Sequence, residues 1–110
     1  MVAIGWALVA AILWLSLTPH PPRPVDIAGA DKLEHCAAYG ALMLWFAFLY
    51  RRTPTRLGYA LGFVAMGVAI EFIQPYTGRD FEVADMLADA LGVALGWGAA
   101  LLVGSVRART

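Results

Sequence analysis

The stretch MLADALGVALGWGAALLVGSV, Met86–Val106, carries one ionisable residue, Asp89, in twenty-one positions. Crossing about 30 Å of hydrocarbon takes roughly 20 predominantly apolar residues in a helix, and this segment reaches that length by itself. Three runs upstream obey the same rule. Leu57–Tyr76 is interrupted only by Glu71 and Gln74 near its end, and Val2–Thr18 has no charge before Pro19, His20, Pro21 and Pro22 stop it. Ala37–Tyr50 is short alone but reaches span length if its helix starts near Asp31–Lys32. The expectation is an all-α membrane protein, a four-transmembrane-helix bundle forming one domain over residues 1–110. Its spans fall near 2–18, 32–50, 57–76 and 86–106.

Composition supports lipid as the solvent. The chain is 61% hydrophobic and 15% charged, against about 25% charged and roughly 45–50% apolar for a soluble domain. A soluble fold of this size leaves much of its apolar side chain exposed. The formal net charge is zero, so its total points to no partner, and no basic–aromatic surface suited to nucleic acid appears. Cys36 is the sole cysteine, which excludes an intramolecular disulfide and every multi-cysteine metal motif. It reads as a small apolar filler in a helix.

The connections fit four spans. His20–Ala30 is Pro-rich, Arg51–Arg56 contains Thr53-Pro54 and reads as a short turn, and Thr77–Val83 contains Gly78, Arg79, Asp80 and Glu82. Gly58–Gly62 and Gly92–Gly96 are GxxxG pairs, which in membranes let helices approach closely. Ala28-Gly29-Ala30 resembles a signal-peptidase site. However, no Lys or Arg precedes the apolar run, and eleven residues including four prolines separate the run from Ala30. Signal peptides have a basic start and a short apolar core, so the segment is read as a retained span.

Orientation follows the positive charges, because cytoplasmic loops are enriched in Lys and Arg. Arg51, Arg52, Arg56, Arg107 and Arg109 fall on one side, against Arg23, Lys32 and Arg79 on the other. Five against three places both termini inside (N-in/C-in), in a multi-pass protein of the inner (plasma) membrane. All eight acids, Asp26, Asp31, Glu34, Glu71, Asp80, Glu82, Asp85 and Asp89, lie on the outer side. Acids contribute little to topology, so their gathering points to function.

Ionisable groups within spans cost about 2.5–3.5 kcal/mol at the helix centre on insertion scales and are functional hypotheses by default. Residues three or four apart share a helix face. Asp31, His35 and Tyr39 therefore form one stripe, with Lys32 and Glu34 beside it, and Glu71 and Gln74 form a second. Asp85 and Asp89 form a third. Helix capping accounts for Asp31 and for Asp85, but not for His35, nor for Asp89 one turn deeper. His35, Glu71, Asp85 and Asp89 are the candidate catalytic groups. Asp31, Lys32, Tyr39, Gln74 and Arg79 are the candidate ligand-binding ones. No nucleophile elbow, phosphate loop, HExxH or dinucleotide fingerprint occurs.

In this order, Asp31-Lys32-x-x-His35-x-x-x-Tyr39, Glu71-x-x-Gln74, Gly78-Arg79, Asp85 and Asp89 followed by Gly92 resemble the VanZ-like family. That family takes its name from a membrane protein associated with resistance to the glycopeptide teicoplanin. The resemblance runs from Asp31 to about Gly96 and implies a multi-helix membrane protein of the cell envelope, without implying a settled reaction. Asp89 departs from the Asn expected at its position, and an extra acid there would repel a phosphate.

Three uses of the polar cluster remain open. It can act as an acid–base enzyme on a lipid-linked phosphate of the envelope, with Lys32 and Arg79 on the anionic head group. It can bind an envelope lipid or a glycopeptide without chemistry. It can be an ion-pair network that fixes the packing. A hard metal on the carboxylates and His35 is a variant of the first use. No metal ligand set is assigned and no cofactor is named. The expected partners are membrane lipids.

Overall fold

Long apolar runs without interior proline leave each peptide group no better partner than its own helix, and helices result. The computed structural model describes residues 1–17, 30–77 and 83–109. They form α1 (Val2–Leu17), α2 (Ala30–Leu49), α3 (Thr53–Ile73), a 3-10 turn (Gln74–Thr77) and α4 (Val83–Arg109), with no strand among the described residues. α3 and α4, the latter through Ser105, are each long and apolar enough to cross a membrane. α1 is shorter, at 16 residues, and α2 carries Asp31, Lys32 and Glu34 near its start.

α3 begins at Thr53, inside the stretch expected to be a turn. Pro54 is the reason: in the first helical turn its missing N–H has no intrahelical acceptor to lose, and its fixed φ suits the helix. The connection from α2 shrinks to residues 50–52. Arg56 then folds back on the end of α2. Its Nε donates to the carbonyls of Ala47 (3.1 Å) and Tyr50 (3.0 Å), and its Nη2 donates to Ala47 (2.7 Å). The terminal carbonyls of a helix lack intrahelical donors and carry the negative end of its dipole, so one guanidinium answers both needs.

Successive helices alternate in direction. Tyr50 stacks on Tyr59 (5.2 Å) and Phe46 lies against Phe63 (5.5 Å), which makes α2 and α3 antiparallel. Trp6 faces Tyr59, while Ser16 meets Gln74, so α1 and α3 run together. The most extensive contact joins α2 to α4, which are parallel. A Cβ at Gly92 would overlap the Cys36 carbonyl, and one at Gly96 would overlap the Gly40 carbonyl. Only glycine allows these two backbones so close.

α2 is the centre of the molecule. Its Tyr39, Leu42, Met43, Phe46 and Ala47 are buried among Val9, Ala60, Phe63, Val93 and Ala100. The outer surface is apolar: Leu87, Leu91, Leu95 and Leu102 of α4 and Leu57 and Leu61 of α3 are exposed, while Glu71, Gln74, Asp85 and Asp89 are buried. Water-soluble proteins bury the first kind of residue and expose the second. The bundle is 49 Å long and about half as wide.

Candidate functional site

The polar cluster forms because α2 and α4 are parallel and share one end. That register brings the first turns of both helices to the same height, where apolar burial is incomplete and charge can meet charge. The Nδ1 of His35 lies 2.8 Å from Asp89 Oδ1, at hydrogen-bond distance, and its Nε2 lies 3.9 Å from Asp85 Oδ2. Asp85 is also engaged by Lys32, with Nζ 2.9 Å from Oδ1. The result is a chain of alternating charge capacity, Lys32–Asp85–His35–Asp89, that descends from the end of the bundle into it. Side-chain exposure is 32% at Lys32, 7% at Asp85, 13% at His35 and 3% at Asp89, so the two carboxylates are the most enclosed members of that chain.

Asp89 turns its carboxylate onto the imidazole of His35. A hydrogen bond from Nδ1–H to Asp89 selects the tautomer whose Nε2 carries the free lone pair. Nε2 is left facing Asp85.

Glu71 arrives from α3 and is buried, close enough for its charge to act on both His35 and Tyr39. Tyr39 lies one turn below His35 and is almost fully enclosed. Three helices thus contribute to one polar layer. Gln74 is buried as well, but its Nε2 donates to the Ser16 carbonyl of α1 at 2.9 Å. That bond fastens the turn after α3 to the end of α1, a use that helix-face spacing does not reveal. The side chains of Asp31 and Arg79 fall outside the described residues, so the proposed anion contact of Arg79 lies outside them too. No group of three or more His, Cys, Asp and Glu side chains among the described residues is arranged to hold a metal ion.

Sequence reasoning passed over Gly67. A Cβ there would stand 2.6 Å from Asp89 Oδ2, so the absence of a side chain on α3 makes the space for the carboxylate that orients His35. The signal was present: Gly67, Glu71 and Gln74 stand at i, i+4 and i+7 on one face. Glu34 Oε1, also buried, has no hydrogen-bond partner among the described residues.

No family model, characterised protein or solved structure matches this chain.

Proposed function

We propose that this chain is a four-span, N-in/C-in protein of the plasma membrane, similar to the VanZ-like family, and that its outer polar layer performs acid–base chemistry on a lipid-linked phosphate of the cell envelope. The membrane reading rests on the two span-length apolar helices, the alternating helix directions and the leucine-rich exterior around buried carboxylates. In this reading α2 crosses with its charged first turns at the outer surface, and α1 crosses as a short span.

The observation that carries the chemistry is the His35–Asp89 hydrogen bond, made at the least exposed member of the Lys32–Asp85–His35–Asp89 chain. A purely structural ion pair does not need an imidazole held by one nitrogen with the other kept 3.9 Å from a second carboxylate. In the proposed hydrolysis, water attacks phosphorus, the P–O bond to the leaving group breaks, and His35 Nε2 takes the proton from the attacking water. Asp89 stabilises the imidazolium, and Lys32 offsets charge on the phosphate as the leaving oxygen is protonated from solvent. A positioned general base contributes about 10²–10⁴-fold in rate.

One contact favours a structural role instead. Lys32 and Asp85 already neutralise each other across α2 and α4, and breaking a buried pair typically costs about 3–5 kcal/mol, less where one partner is partly exposed as Lys32 is. The two readings separate in one experiment. The protein, reconstituted in liposomes, is given a long-chain polyprenyl diphosphate, and phosphate release and melting temperature are followed together. His35→Gln should abolish release with little change in melting temperature. Asp89→Asn should slow it about 100-fold or more, because the neutral amide keeps the shape and loses the charge. No release by the unaltered protein, with variants whose only defect is a lowered melting temperature, selects the structural role. Well-folded variants with unchanged lipid content and unchanged teicoplanin sensitivity would sink the enzyme and binder readings together.

A further inference from the structure

The end of the bundle away from His35 carries a different charge pattern. Arg51, Arg52, Arg56, Arg107 and Arg109 all belong to it by their place in the chain, and none of the eight acids does. Among the described residues, Arg51 and Arg52 form no ion pair. Arg56 uses Nε and Nη2 on the carbonyls of α2, and its Nη1 takes no part in those bonds. Among the described residues, Arg51 and Arg52 therefore meet no counter-charge from the protein.

These cations border a groove. Arg51 and Arg56 line a cavity of about 580 Å³, whose other walls include Phe48 of α2 and Leu101, Val103 and Gly104 of α4. That volume lies within the usual range for a small-molecule site, roughly 300–1,000 Å³. One rim is cationic and the walls are apolar and aromatic, so the matching molecule has an anionic head on an apolar tail. Basic pockets between membrane helices on the cytoplasmic side bind lipid head groups of this kind.

We propose that this groove binds one anionic phospholipid of the leaflet at that end. Its phosphate rests on Arg51 and Arg56, and an acyl chain lies along Phe48, Leu101, Val103 and Gly104. Arg56 has a double part: its guanidinium is held rigid by the α2 carbonyls, so a fixed cation meets the phosphate at little further entropic cost. The site is independent of the chemistry proposed at the opposite end.

The test uses the full chain in mixed micelles containing equal phosphatidylglycerol and phosphatidylcholine, with retained lipids counted by native mass spectrometry. The unaltered protein should hold one phosphatidylglycerol in preference to phosphatidylcholine. Arg51→Gln should lower that preference about fivefold, the effect expected of one arginine near an anionic surface. Gly104→Leu should lower it comparably by filling the groove, since nothing stands within 4 Å of the Cβ position. Arg52→Gln, which removes an equal charge outside the groove lining, should leave it unchanged. If Gly104→Leu lowers the melting temperature, Ser105→Leu, on the same wall, replaces it. Equal retention of the two lipids by the unaltered protein overturns the proposal. So does equal loss from Arg51→Gln and Arg52→Gln, which marks diffuse attraction, or a loss from only one of the charge and groove-filling variants.

Discussion

Gly58–Gly62 and Gly92–Gly96 have the same spacing on neighbouring helices and opposite surroundings. The α4 pair lies against the α2 backbone, with the Cys36 and Gly40 carbonyls where side chains would otherwise stand. The α3 pair meets nothing within 4 Å and borders an open apolar groove of about 470 Å³ with Trp6, Val9 and Tyr59. A GxxxG pair gives a helix the capacity for close approach, but the partner decides whether that capacity is used. Here α2 offers small residues, Cys36 and Gly40, four apart at the matching height. Toward the Gly58–Gly62 face, α1 offers Trp6 and Val9, which hold it off.

The largest effect expected from this contrast is at Gly92. Gly92→Leu sets a side chain against the Cys36 backbone, which cannot rotate away as a side chain can. The expected loss is about 3 kcal/mol or more, at the upper end for overpacking, seen as a collapse of yield and melting temperature in detergent. A near-normal melting temperature for this variant would mean that α2 and α4 are not in the contact described. Gly67→Ala is the intermediate case, because the obstructing atom is the end of the Asp89 side chain. The bundle should survive with a loss of about 1–3 kcal/mol, while His35 loses its partner. Nitrogen-15 histidine spectra, in which His20 serves as the internal reference, should show His35 moving from one dominant tautomer toward a mixture. An unchanged His35 spectrum would remove Asp89 as its orienting group. Smallest of all should be Gly58→Ala and Gly62→Ala. Each should change stability by less than about 1 kcal/mol and in the stabilising direction, since alanine is the better helix former. A marked loss from either would show that this face is occupied after all, and chemical crosslinking would then identify the neighbour.

Much of this architecture was legible in the sequence for simple reasons. Apolar run length places the helices to within a few residues, and three-or-four spacing correctly put His35 and Tyr39, and Asp85 and Asp89, on single faces. What periodicity cannot supply is the identity of the facing helix. Gln74 shares a face with Glu71, but nothing in that spacing says that its amide reaches the Ser16 carbonyl, 58 residues away. Arg56 counted only as a topological charge, because nothing in residues 51–56 announces that the guanidinium will turn back on α2. Pro54 was read as a turn signal, whereas it opens α3, and proline is equally at home in both settings. The α2–α4 register was the least legible of all. It depends on two small-residue pairs more than fifty positions apart, and neither pair is distinctive without the other.

That register has a consequence for the order of events during synthesis. α2 leaves the ribosome well before α4, so it enters its surroundings with Lys32 and His35 lacking Asp85 and Asp89, and with the Gly40 surface uncovered. Until α4 arrives, the helix at the centre of the bundle lacks the two carboxylates that it meets in the finished fold. Of the four described helices, the last to be translated is thus the one that completes the centre.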